Sequence, residues 1–199
     1  MDKVTVFGSE RFHLQPDAPE VFGWLGCDKT MPCYAAFDVA WPTAEELLQR
    51  DMRPRAALAE HDDLLTVFLT LGVAPENRVN DLFDQQKYVL GSLLNTLCDE
   101  MLFQMNHQFS DMIQKELNAE HRFMAERLEP GVDFSPELQR QRFAPLQAAF
   151  PDVKISASGI LTPAKSMMYC VTLTCHACEQ TGLHDCSKCS QKDCIYRKV

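Results

Sequence analysis

Several things are scarce in this chain of 199 residues. Basic residues are few: 19 Lys and Arg stand against 28 Asp and Glu, a formal charge of −9. Phosphate backbones and anionic headgroups would repel such a surface, which excludes a general nucleic-acid or membrane binder. Long apolar runs are missing, and no stretch approaches the roughly 20 residues that a membrane span needs. The opening Met1-Asp2-Lys3-Val4-Thr5-Val6 has no basic region followed by an apolar one, so no secretory signal is read and a cytoplasmic protein is expected. With 8 Gly and 11 Pro, the chain is not of low complexity. Gly-x-Gly-x-x-Gly, phosphate-loop and Gly-x-Ser-x-Gly patterns are all absent, so no dinucleotide, nucleotide or serine-hydrolase signature is present.

Hydrophobic residues make up 46% of the chain, enough for a packed core. Val4–Phe7 and Arg11–Leu14, around Gly8-Ser9, read as a hairpin or two edge strands. The stretch from Pro16 to Pro42, with Pro19, Pro32, Gly23, Gly26, Trp24 and Trp41, reads as an irregular arm packed by aromatics. Thr43 and Glu46 have capping-box spacing, so a helix is expected to start there and stop before Pro54. Leu64–Leu71 is an apolar run closed by Gly72, as in a buried central strand. From Tyr88 onward, Leu90, Leu94, Leu97, Met101 and Met105 recur at helical steps, which predicts a long amphipathic helix whose methionines are core. A second helix is expected over 136–150, then strands over 153–156 and 167–173. Without regular βαβ alternation the class is α+β.

The nine cysteines are unevenly placed. Cys27, Cys33 and Cys98 are scattered; Cys170, Cys175, Cys178, Cys186, Cys189 and Cys194 crowd the C-terminus. The chain therefore divides into a body, 1–170, and a cysteine-rich tail, 171–199. The tail is too short for a core of its own and would need a metal or a docking surface to order it. Cys175-His176-Ala177-Cys178 and Cys186-Ser187-Lys188-Cys189 are Cys-x-x-Cys loops, and two such loops can close a tetrahedral thiolate site. An iron–sulfur cluster (four-iron rather than two-iron), a structural zinc and thiol redox chemistry through Cys175 and Cys178 all fit this spacing. His176 and His184 are potential substitute ligands. Cys98 reads as a small core residue, and Cys27 and Cys33 as free thiols that could pair.

The order of elements carries a resemblance. The strand Leu64–Leu71, the long helix through Asp99-Glu100, Arg127-Leu128-Glu129-Pro130-Gly131, a glutamine-bearing helix and Pro163-Ala164-Lys165-Ser166 follow one another. This resembles the reactivation, AdoMet-binding domain of cobalamin-dependent methionine synthase in its short stand-alone form, over roughly residues 60–173. The resemblance implies a twisted antiparallel sheet flanked by helices, one of them long; the cysteine spacing adds a short metal-stapled tail. By position it implies that Arg127, Pro130, Gly131 and Val132 form the ligand loop and that Glu100 is an acidic residue near the ligand. An arginine fork suits the AdoMet carboxylate, a carboxylate suits its amine and sulfonium, and glycine permits close backbone approach. Where the family continues Pro-Gly-Tyr this chain has Val132, so the alternative is a retained fold whose ligand is lost or exchanged. Without the resemblance, Arg127 reads as an ion-paired arginine closing a helix and Glu100 as part of a solvated helix face.

Cys186, Cys189 and Cys194 also resemble the start of the cluster motif of corrinoid iron–sulfur proteins and reductive activators, with a fourth ligand from Cys178, Cys175 or a partner. The Asp-x-His-x-x-Gly corrinoid signature is absent, so cobalamin is expected only on a partner, a corrinoid protein or methyltransferase. The implied role is accessory: reductive reactivation of that partner. The alternative is a non-enzymatic binding module with a degenerate ligand loop and a zinc-stapled tail.

Overall fold

The computed structural model describes residues 3–177, 184, 186 and 192–196. In chain order the elements are β1 (Lys3–Phe7), α1 (Ala18–Trp24), α2 (Tyr34–Asp51), β2 (Arg55–His61), β3 (Leu64–Thr70), α3 (Val73–Asp84), α4 (Tyr88–Ala119), β4 (Phe123–Leu128), α5 (Pro136–Phe143), β5 (Lys154–Ile155), β6 (Leu161–Thr162) and β7 (Ser166–Thr174). Five strands pair antiparallel in the order β1-β2-β3-β7-β4, and β5 pairs with β6 separately. The α+β class and the long helix are as the sequence predicts. Among the described residues no helix is long and apolar enough to cross a membrane.

β3 lies at the centre of the sheet and is buried from Leu65 to Thr70, which explains its unbroken apolar run. Its alternate residues serve two cores. Leu65, Val67 and Leu69 join the larger core beneath α4, whereas Phe68 packs with Phe143, Leu146 and Phe150 on the opposite face. The stripe on α4 is core, as expected: Leu97, Met101, Met105 and Phe109 are fully buried. Each such side chain contributes about 2 kcal/mol by leaving water.

The N-terminal third departs from expectation. Residues 11–14 form no strand; Ser9–Arg11 is a 3-10 turn, and β1 alone joins the sheet, as an edge strand. The arm is largely helical, and α2 starts at Tyr34, with Pro42 inside it, rather than at Thr43. A proline there removes one helical hydrogen bond. Aromatic burial offsets the loss: Phe22 of α1 meets Tyr34, Phe37 and Trp41 of α2 at centroid distances of 5.2, 6.2 and 5.5 Å.

The extended segment between β1 and α1 is held by a ladder of α4 side chains. Gln108 accepts from the His13 N–H and donates to the His13 carbonyl, at 2.9 and 2.8 Å. Gln104 does the same for Gln15, at 3.1 and 2.7 Å. Glu100 accepts the Asp17 N–H with both carboxylate oxygens, at 3.0 and 3.1 Å. Helix positions four apart rise about 6 Å, close to two residues of extended chain, so every second residue of the segment meets one rung.

Candidate functional site

β7 presents alternate side chains toward α4, and this alternation builds the site. Lys165, just ahead of the strand, reaches Asp99 of α4 through Nζ at 2.7 Å. Met167 and Tyr169 follow on the same face. Arg127, on the neighbouring edge strand β4, lays its guanidinium over the Tyr169 ring at 3.6 Å from the centroid. Its Nε donates to Glu129 Oε1 at 2.6 Å and its Nη2 approaches Met167 Sδ at 3.7 Å. Burial pushes the Tyr169 phenol up to about 12, so the ring stays neutral and offers its electron-rich face to the cation. Arg127 therefore belongs to a strand and does not close a helix.

Beyond β4 the chain turns sharply. Gly131 donates to the Phe134 carbonyl at 2.8 Å, Asp133 N–H to the Glu129 carbonyl at 2.9 Å, and the Asp133 carboxylate takes the Glu129 N–H at 2.7 Å. Gly131 has φ +78°, a conformation that L side chains rarely adopt, and nothing lies within 4 Å of where its Cβ would be. The backbone conformation requires the glycine, and open space surrounds it. Val132 is 77% exposed at the tip.

Two described tail residues reach this same region. Tyr196 donates its hydroxyl to Asp99 Oδ2 at 2.7 Å and stacks against Trp24 and Phe103, with centroids at 4.9 and 5.2 Å. Burial and the Asp99 carboxylate raise the pKa of that hydroxyl, so it stays protonated and remains a donor. His184 Nδ1 lies 3.2 Å from Glu129 Oε1. The tail thus touches the acidic partner of Lys165 and the acidic partner of Arg127.

Of the residues singled out in the sequence, Arg127, Pro130, Gly131 and Val132 come together at the end of β4. Glu100 is engaged elsewhere, on Asp17 and Gln104. It is buried, 3% exposed, and not on a solvated helix face. Loss of hydration pushes its carboxyl up to about 7, against the hydrogen bonds from Asp17 and Gln104 that hold it down. Cys98 is buried, and desolvation pushes its thiol up to about 12. Cys175 is exposed; Cys186 and Cys194 are partly so. Cys178 and Cys189 lie outside the described residues. Among the described residues, no three His, Cys, Asp or Glu side chains converge as metal ligands would. β7 carries the sheet to Thr174, beyond residue 170.

Sequence reasoning missed Asp99, Tyr169 and Tyr196. Lys165 was visible within its Pro-x-Lys-Ser motif, but its partner was not. A cleft of about 290 Å³, lined by His61, Thr66, Gln141 and Arg142 among others, opens on the other face of the sheet, away from Arg127.

No family model matches the chain, and no curated protein matches it. Among solved structures it is similar to one described as the MetH reactivation domain bound to AdoHcy, with TM-score 0.53 and 10% identity over 85% of this chain and 78% of that one. That likeness establishes the fold: an antiparallel sheet with helices, one of them long, arranged as in the reactivation domain.

Proposed function

We propose that this chain is an accessory protein of corrinoid-dependent methyl transfer. It would bind S-adenosylmethionine at the end of β4, act on a corrinoid carried by a partner protein or methyltransferase, and support its reductive reactivation. The observation that carries the reading is Arg127 stacked on Tyr169 beside the Gly131 turn, in a fold shared with a domain solved with AdoHcy. The ligand carboxylate would exchange with Glu129 on the Arg127 fork. Glu129, released, would face the ligand amine or sulfonium, and Pro130, Gly131 and Val132 would border it. Glu100 cannot reach a ligand without giving up the Asp17 N–H, so in this reading it positions α1. Cys175, Cys178, Cys186, Cys189 and Cys194 enter as ligands of an iron–sulfur cluster for electron delivery or docking, with zinc as the rival occupant.

A second reading, a non-enzymatic binding module with a zinc-stapled tail, also has specific support. Arg127 is already engaged by Glu129 and Tyr169, and Val132 stands where the family has tyrosine.

Calorimetry with AdoMet separates the two. Saturable binding is expected, and Arg127→Ala should weaken it by about 2 kcal/mol, roughly 30-fold, the scale of a charge-assisted contact. A folded protein that shows no heat with millimolar AdoMet would select the binding module. Metal analysis of protein purified without oxygen distinguishes the tail: iron with visible absorption that bleaches on reduction, or colourless zinc.

A further inference from the structure

The connector between α1 and α2 holds two thiols that the proposed function does not use. Cys27 is buried just beyond α1; Cys33 is exposed at the N-terminal cap of α2. Their sulfurs lie 3.0 Å apart, each within reach of the other's hydrogen, and both are free thiols. The backbone between them is folded to bring this about. The Cys27 N–H bonds the Phe22 carbonyl at 2.9 Å, Met31 N–H bonds the Asp28 carbonyl at 3.0 Å, and Tyr34 N–H bonds the Met31 carbonyl at 3.1 Å. The Asp28 carboxylate secures the turn by accepting from both the N–H and the hydroxyl of Thr30, at 2.7 and 2.5 Å.

We propose that Cys27 and Cys33 are a dithiol site that exchanges reversibly with small-molecule disulfides of the glutathione class, closing an internal disulfide across the α1–α2 connector. Exposure sets the order of events. The Cys33 thiolate attacks one sulfur of glutathione disulfide; that S–S bond breaks, and one glutathione leaves and takes up a proton. Cys27 then loses its proton and attacks the Cys33 sulfur, forming the internal bond and expelling the second glutathione, which is protonated in turn. Two protein thiols are oxidised, one disulfide is reduced to two thiols, and the two protons the protein loses are the two the glutathiones gain. The Cys27 thiol is pushed up to about 11, first by its hydrogen bond to Cys33 and then by burial. The buried Cys27 therefore keeps its proton while the exposed Cys33 reacts first.

The test uses the full chain. Protein is equilibrated with glutathione disulfide, the remaining thiols are blocked with N-ethylmaleimide, and trypsin is added without reductant. Lys29 lies between the two cysteines, so cleavage after it places them in separate peptides, 12–29 and 30–50. The expected product is these two peptides joined, separating on reduction, with the joined fraction falling as glutathione is raised. Cys27→Ser should trap glutathione on Cys33, and Cys33→Ser should leave Cys27 unmodified under the same conditions. Both peptides carrying N-ethylmaleimide while other cysteines oxidise would overturn the proposal. So would either peptide joined to a tail cysteine instead, or a Cys27 that takes up glutathione as fast in Cys33→Ser as Cys33 does in Cys27→Ser.

Discussion

Asp99 and Glu100 are consecutive residues of α4, yet they serve different regions of the molecule. Glu100 faces the N-terminal segment and accepts the backbone N–H of Asp17. Asp99 faces the start of β7 and is held by two side chains, the Lys165 ammonium and the Tyr196 hydroxyl. A backbone amide cannot leave its acceptor unless a whole segment detaches, whereas an ammonium or a hydroxyl can exchange partners by rotating side-chain bonds. The ladder side is therefore architecture. The Asp99–Lys165 and Arg127–Glu129 side is held by side-chain pairs, which exchange partners without moving the backbone.

The largest expected effect lies on the ladder side. Phe109 is fully buried on α4, with Phe7 at 5.0 Å and Phe12 at 6.0 Å between centroids. Phe109→Ala should lower stability in urea unfolding by about 3–5 kcal/mol, because the cavity adds to the lost transfer energy. A loss under about 1 kcal/mol would mean that this face is not the structural one.

Glu100→Gln sharpens the contrast through pH. The native carboxyl titrates near about 7, above its ordinary value of 4.5, with Asp17 and Glu20 nearby opposing its charge. Between those values the native state keeps a proton that the unfolded state has lost, so the contribution of Glu100 to stability falls as pH rises through the window. Glutamine can accept the same Asp17 and Gln104 hydrogen bonds and does not titrate. The stability of wild type relative to Glu100→Gln should therefore decline by about 1–2 kcal/mol from acid to neutral pH. A flat difference, or one that rises with pH, would refute a buried, protonatable Glu100.

The smallest effect belongs to the exchangeable side. Tyr196→Phe keeps the stacking on Trp24 and Phe103 and loses only the bond to Asp99, which still has Lys165. Stability should drop by about 0.5–1 kcal/mol, with a change in Trp24 fluorescence as the tail loosens. A penalty as large as that of Phe109→Ala would erase the distinction between the two sides.

Legibility in the sequence follows the same division. β3, α4 and β7 were readable because each buries a continuous run or a regular stripe, and burial leaves a local period, while the start of α5 was marked by Pro136. β4 was missed: Phe123–Leu128 is a half-exposed edge strand that carries Glu126 and Arg127, with only Met124 fully buried, so it shows no apolar pattern. β2 holds three alanines among seven residues, which signal no strand strongly. α1 and the first half of α2 were hidden by Pro19 and Pro42, whose local preferences were outweighed by the aromatic contacts around Phe22.

Composition, periodicity and spacing by themselves determined the acidic character of the chain, its central strand, its long core helix and the concentration of cysteines near the C-terminus. Each of these is a property of neighbouring residues and needs no partner to define it. Only the tertiary structure decided that Asp99 meets Lys165 and Tyr196, that Glu100 secures Asp17, and that Arg127 rests on Tyr169. Polar and thiol partners are chosen by where distant segments cross. A single carboxylate, guanidinium or thiol in the sequence looks the same whatever it will face, because its pairing depends on the packing of the apolar residues around it.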